Sequence, residues 1–411
     1  MEKQIASAKK RVILLCMLAY TVSYLCRTNL SVAMNEILDE FQISKSQAGL
    51  ITTIYFWLYA GGQLAAGWMC TKKDPKHVLM LGLLLTVLCN TLIGFVRSYE
   101  LLLLLWSLNG LALAFFWPPV IQIGTNWSEP EEYTRLSILL NLPTTVGFII
   151  AWAGLGSLNT LLPWKWMFWI PAASALGFLF IWGLLLDSSP EKAGLSYRPR
   201  VPGKLPNQES ESSNEKASLA VCLLTGTMAA YGLLVIFQGC TKESINLWAP
   251  TLLQEVAGDR NLVLVSAFTS LIPVVSTVGL FSTGALVTLC RGNQAKTMKI
   301  LLGLGMAAGW AMVLCRNTFV PVVLFMGIVL AVVYGVNTVL TTMLPLQFAH
   351  TGRSGAISSV FNFLSYVGAA LGGVISGAVA DWIGWTGMYW LWAVLSTVGL
   401  VLMLCIRKRK P

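Results

Sequence analysis

Arginine in the middle of an apolar run is the first feature of this chain that could do chemistry. Arg27 lies inside residues 12–34, a stretch otherwise fit for lipid. On insertion scales a charge at that depth costs about 2.5–3.5 kcal/mol, so it needs a purpose or a partner. No acidic residue lies within the run, and Glu36 falls beyond its end. Planar guanidinium grips a carboxylate or phosphate through two parallel hydrogen bonds. We expect Arg27 to face an aqueous cavity and bind an anion that is not part of the protein. The alternative is that it snorkels to the interface or bonds a carbonyl.

A second charge follows the same logic. The stretch 238–250 reads Gln-Gly-Cys-Thr-Lys-Glu-Ser-Ile-Asn-Leu-Trp-Ala-Pro, and Lys242 stands at an offset of 215 from Arg27. An ammonium acts as a point charge, and two cations at similar depth make a site for an anion. Adjacent helical residues point about 100° apart, so a close Lys242–Glu243 pair is expected to be awkward. Glu243 is the one acidic residue expected inside a membrane run. It is a coupling candidate, either as a proton-carrying carboxylate or as a counter-charge for Lys242 when the site is empty. Polar and aromatic residues at similar depth are the candidate lining: Tyr20, Tyr24, Gln63, Gln122, Asn141, Asn246, Trp248, Tyr334, Asn337, Asn362 and Tyr366. Each of these also suits packing or inter-helix bonding. His77 and His350 fall in loops, and the cysteines lie mostly in apolar runs without metal-ligand spacing. No metal, cofactor or enzyme activity is expected, because no nucleophile–base pair or metal cluster can be assembled.

The elements that must position these residues follow from composition. Of 411 residues, 56% are hydrophobic and 11% charged, with a mean hydropathy of +0.69. Soluble proteins carry about 25% charged residues, so the chain is read as an all-α, multi-pass membrane protein. Its runs are far longer than the roughly 10-residue strands of a barrel. Twelve runs can span a bilayer: 12–34, 47–69, 78–96, 101–123, 136–159, 166–186, 218–252, 262–288, 298–315, 318–346, 355–380 and 388–406.

Lysine and arginine orient them. With the N-terminus inside, inner segments hold 21 of the 28 basic residues and outer segments hold 5, leaving Arg27 and Lys242. Both termini are therefore expected in the cytoplasm, with the chain in the cytoplasmic membrane. The net charge of +10 is then a matter of topology and needs no nucleic-acid partner. Residues 187–217 are polar and rich in proline and serine, which suits a linker rather than a core. The expected layout is a six-helix bundle over 1–186, a cytoplasmic linker over 187–217 and a second six-helix bundle over 218–411.

The halves are related. Asn141, Val146, Gly147, Gly156, Trp164, Met167 and Trp169 recur at a constant offset of 221 as Asn362, Val367, Gly368, Gly377, Trp385, Met388 and Trp390. Parallel repeats of this kind place a substrate site near the midplane between the halves, reached from alternate sides by rocking.

With these residues in hand, the chain resembles the major facilitator superfamily over nearly its whole length. It is most similar to the organophosphate:phosphate antiporters, which include glycerol-3-phosphate and hexose-phosphate transporters. Four stretches carry the likeness: Tyr-Leu-Cys-Arg-Thr-Asn-Leu-Ser-Val-Ala-Met (24–34), Phe-Trp-Pro-Pro (116–119), Leu-Trp-Ala-Pro-Thr-Leu-Leu-Gln-Glu-Val (247–256) and Arg-Gly-Asn (291–293). The resemblance implies that basic residues in spans one and seven bind the substrate phosphate. By position these are Arg27 and Lys242, with the span-one tyrosines at Tyr20 and Tyr24. Further basic positions of the glycerol-phosphate transporters fall here on Thr28, Gln63 and Thr144. That loss of charge favours a less charged anion, a carboxylate or sugar acid. The Arg-x-Asn-Leu-Ser-Val-Ala run also resembles the anion:cation symporters. The superfamily's aspartate after span two falls on Thr71, and its repeat falls near Thr288.

The expectation is a monomeric secondary transporter of a small organic anion with the major facilitator fold. The coupled ion is phosphate by exchange, or H⁺ or Na⁺ by symport. Two rivals are a membrane sensor of a phosphorylated metabolite and a drug efflux pump; the second leaves two cations unexplained.

Overall fold

The computed structural model describes residues 2–197, 226–258, 261–346 and 354–406. The described residues are 87% helical, with no strand among them. Most of the expected linker, as well as Arg260, His350, Arg353 and the basic tail from Arg407, lies outside the described residues.

The twelve spans appear in order. Span one is Glu2–Val32, continued by a short helix over Met34–Phe41; span two is Lys45–Lys72 and span three Pro75–Ile93. Span four breaks into Tyr99–Ala114 and Trp117–Asn126, because Pro118 and Pro119 cannot donate into the preceding turn. Span five is Tyr133–Ile149, which loosens into a π-helical turn over Ile150–Leu155; span six is Trp166–Leu185. Span seven is Gly226–Ala257, and span eight comprises Leu262–Thr269 and Leu271–Leu289. Span nine is Gln294–Leu314, and span ten is Phe319–Thr338 with a π turn over Val339–Met343. Spans eleven and twelve run together as Ser354–Cys405. The expected loop between them is one corner at Gly384, whose φ of 71° is left-handed and suits a residue without a side chain.

Nine helical stretches among the described residues are long and apolar enough to cross a membrane on composition alone. Ile357–Cys405 counts once there although it holds two spans, and spans two and seven are missing. Those two carry Gln63, Lys242, Glu243 and Asn246.

The chain forms two compact units: Met1–Phe41 with Ile54–Gln208, and Gln42–Thr53 with Glu209–Pro411. In the first unit, residues 187–197 are tied down by ionic and polar contacts, although their composition suggests a linker. Trp127 donates to the Asp187 carbonyl at 2.9 Å and Asn126 to the Ser188 carbonyl at 3.0 Å. Arg11 pairs with Asp187, Lys192 with Asp74, and Tyr197 donates to Glu129. Asp74 and Glu132 sit in loops of this unit. Burial pushes Asp74 up, but the Lys192 ammonium and accepted hydrogen bonds outweigh it and hold it below its ordinary value. Glu132 is lowered mainly by its hydrogen bond from Lys9.

In the second unit, the first turns of span two pack with the end of span eleven. Asp381 accepts the backbone N–H of Lys45 at 2.9 Å and of Ser46 at 2.8 Å, and the Ser46 hydroxyl at 2.5 Å. A carboxylate at the start of a helix satisfies orphan N–H groups and complements the helix dipole. The core of this unit joins Leu234 and Val235 of span seven to Leu302, Val336, Phe361 and Met403.

Candidate functional site

Arg27 is half-buried within the first unit, and three aromatic rings surround its guanidinium. Its carbon lies 5.4 Å from the Tyr24 ring centroid and 5.3 Å from those of Phe56 and Tyr59. Ring faces attract a cation electrostatically, the more so where water is scarce. Tyr24 comes from span one, three residues before Arg27 and so on the same face. Phe56 and Tyr59 come from span two, also three residues apart. Gln63 donates to the Tyr59 hydroxyl at 2.9 Å, one turn further along that face. Tyr20 packs edge-on to Tyr24 at 5.2 Å and against Trp117 at 4.9 Å. Sequence reasoning missed Phe56 and Tyr59. Their i, i+3, i+7 spacing with Gln63 was the available signal.

Behind Arg27, span one is held by buried amides. Asn29 donates to Asn90 Oδ1 at 2.8 Å, Asn90 donates to Asn109 Oδ1 at 3.1 Å, and Asn109 donates to the Cys26 carbonyl at 3.0 Å. All three asparagines are fully buried. Sequence reasoning missed this chain too; three asparagines in apolar runs were the signal.

In the second unit, Lys242 Nζ lies 3.2 Å from Glu243 Oε1, and both side chains are largely buried. This corrects the expectation that neighbouring helical residues pair badly. The two β-carbons do diverge, but lysine's four-carbon stem reaches across the gap. With little water to solvate either charge, their attraction is stronger than at a surface. Lys242 is therefore compensated inside its own helix.

The two cations occupy the same register in their units. A β-carbon at Gly147 would lie 2.4 Å from the Tyr24 Cβ and 3.0 Å from the Thr21 carbonyl oxygen. At its repeat equivalent, Gly368, it would lie 2.1 Å from the carbonyl oxygen of Ile236, which is Thr21 advanced by 215. Trp164 donates its indole N–H to Glu40, and Trp385 donates its own to Glu255. These are again offsets of 221 and 215. Each cation sits six residues after the glycine contact and thirteen before the glutamate.

The remaining candidates divide. Asn246 is half-buried one turn after Lys242, and Gln122, Tyr334, Asn337 and Tyr366 are half-buried too. Asn141 and Asn362, repeat equivalents, are both exposed. Trp248 is fully enclosed; it donates to the Ser376 hydroxyl at 2.9 Å and packs on Trp385. That indole is engaged within its own bundle. Thr71 and Thr288 each return their hydroxyl to a carbonyl of their own helix, Trp68 and Gly284. Among the described residues, no three histidine, cysteine or acidic side chains are grouped to hold a metal.

The family model described as Major Facilitator Superfamily matches residues 16–373. The chain belongs to the major facilitator superfamily. Its relatives include a probable hexose phosphate transport protein of Chlamydia pneumoniae, 22% identical over 94% of this chain and 88% of that protein. The membrane sensor protein UhpC of Salmonella typhimurium is 22% identical over 96% of this chain and 91% of its own length. A probable L-galactonate transporter of Escherichia coli is 24% identical over 90% of this chain and 82% of its own length. Among solved structures, the nucleoside transporter NupG superposes with a TM-score of 0.73, at 15% identity and covering 97% of this chain and 97% of that one. The match supports the fold: twelve helices in two pseudo-symmetric halves.

Proposed function

We propose that this superfamily member is a secondary active transporter of a small organic anion, moved by alternating access. The observation that carries the reading is Arg27: a fixed cation within a membrane span, steered by three rings and matched in register by Lys242. The rings orient the guanidinium, whose planar fork suits an acidic oxygen pair. Taken together, Arg27, Lys242 and Glu243 carry one net positive charge. A singly charged guest suits that balance, so sugar acids and carboxylates rank ahead of doubly charged phosphates. Tyr20, Tyr24, Gln63, Asn141, Asn246, Tyr334, Asn362 and Tyr366 are the proposed lining; Trp248, enclosed in its own bundle and bonded to Ser376, is left out. Glu243 is the proposed coupling group, taking a proton when the anion claims Lys242. Phosphate exchange and H⁺ or Na⁺ symport are the coupling modes to compare.

We place the protein in the cytoplasmic membrane with both termini inside, on the lysine and arginine distribution, and propose that it acts as a monomer. Bundles over 1–186 and 218–411, linked by 187–217, form the proposed layout. We assign no enzymatic step.

Uptake and counterflow into proteoliposomes test the reading. Sugar phosphates, aldonates and simple carboxylates form the panel, after a thermal-shift screen that reports ligands of the folded state. Accumulation of an anion supports it. Binding without movement favours the sensor reading, and transport confined to lipophilic cations or neutral solutes sinks it.

A further inference from the structure

We propose that Asn29 and Ser244 are rotational anchors, which turn spans one and seven so that Arg27 and Lys242 are presented on the face opposite the bundle core.

In each unit the residue two places after the cation is a fully buried polar side chain. Two helical steps are about 200° of rotation, so this residue lies across the helix from the cation. In span one it is Asn29, the head of the amide chain through Asn90 and Asn109. That chain returns to span one at the Cys26 carbonyl, one residue before Arg27. Asn29 Oδ1 also accepts the Leu30 N–H at 3.1 Å. In span seven it is Ser244, whose hydroxyl accepts the Trp392 indole N–H at 2.9 Å, both residues being fully buried. Asn29 and Ser244 stand at the same offset of 215 as Arg27 and Lys242.

The chemistry differs between the halves while the register is kept. An amide chain to spans three and four serves one bundle, and an indole–hydroxyl bond to span twelve serves the other. Glue for a bundle has no need to share a register with a charge. A device that fixes helix rotation does. A turn of one residue, about 100°, would unpair buried polar groups at real cost and carry the cation off its face. The rings of Phe56 and Tyr59 on span two would then no longer meet Arg27.

The inference rests on Arg27 and Lys242 holding the anion, and the test separates the two claims. Affinity for glucose 6-phosphate and for galactonate is measured by calorimetry on the full-length purified protein, alongside its melting temperature. Ser244→Ala and Trp392→Phe are each expected to weaken anion affinity tenfold or more, with no further loss when combined. Ser244→Thr keeps the hydroxyl and is expected to restore affinity. Asn29→Ala is expected to match them in the first unit. Thr397→Val is the control. It removes the acceptor of the Trp310 indole, 3.1 Å away between spans nine and twelve. It is expected to lower the melting temperature as much as Ser244→Ala while leaving affinity unchanged. Unchanged affinity in Ser244→Ala, or equal affinity losses in Ser244→Ala and Thr397→Val, overturns the anchor proposal. Full affinity in Arg27→Ala and Lys242→Ala overturns the reading beneath it instead.

Discussion

Trp385 donates its indole N–H to Glu255, and the same bond joins Trp164 to Glu40 in the other unit. Together with the Gly147 and Gly368 contacts, it fixes two points along each of spans one and seven. Arg27 and Lys242 fall between those points at identical distances in sequence. Their equivalence thus rests on packing as well as on counting residues. What differs is the environment: three rings at Arg27, a neighbouring carboxylate at Lys242.

Replacing Arg27 by lysine keeps the charge and loses both the planar fork and the stacking on Tyr24, Phe56 and Tyr59. Charge-assisted hydrogen bonds contribute about 1.5–3 kcal/mol each. Losing one corresponds to roughly 10–150-fold weaker anion binding. Calorimetry on Arg27→Lys should show that loss with little change in melting temperature. Affinity within twofold of the unmodified protein would mean that the fork does not matter.

Breaking the Lys242–Glu243 pair from one side strands a largely buried charge. The cost for such pairs is about 3–5 kcal/mol when fully buried, and both single variants should approach the lower end. Lys242→Met and Glu243→Gln should each lower the melting temperature in detergent. The double variant should recover most of it, since apolar or neutral replacements of a buried pair are often well tolerated. A double variant as unstable as the worse single would show that the two charges do not compensate one another.

Much of this architecture is legible in the sequence, for reasons that individual residues make plain. Arg27 and Lys242 stand out because a charge in an apolar run is rare and costly. The repeat offset stands out because Trp164, Met167 and Trp169 are uncommon types. The rings of Phe56 and Tyr59 do not, since their spacing with Gln63 marks a shared helix face without separating lining from packing. The Lys242–Glu243 contact escapes an argument from backbone geometry alone, which ignores the reach of a lysine side chain. The corner at Gly384 is hidden because a single left-handed glycine can join two helices without a polar loop. The order of 187–197 depends on partners far away in sequence, such as Asp74 and Glu129.

Close backbone approach makes a glycine prediction. Gly368→Ala sets a β-carbon 2.1 Å from the Ile236 carbonyl oxygen, so span seven or eleven must move. Overpacking of this kind costs about 1–3 kcal/mol. Gly61→Ala, with nothing within 4 Å, should be neutral or slightly stabilising. Thermal unfolding of both variants checks this, and an unperturbed Gly368→Ala would remove the contact from the account.

Asp381 gives a capping prediction. It accepts the backbone N–H groups of Lys45 and Ser46 and the Ser46 hydroxyl. Asp381→Asn loses the charge that complements the start of span two and should cost about 0.5–2 kcal/mol, read as a lower melting temperature at neutral pH. An unchanged melting temperature would show that this cap contributes nothing.

The measurement closest to the central claim is equilibrium binding of the transported anion to Arg27→Ala, with the melting temperature of the unliganded variant recorded alongside. The account predicts an unliganded variant that melts within a few degrees of the unmodified protein and shows no saturable anion binding. Saturable binding at the unmodified affinity would contradict it.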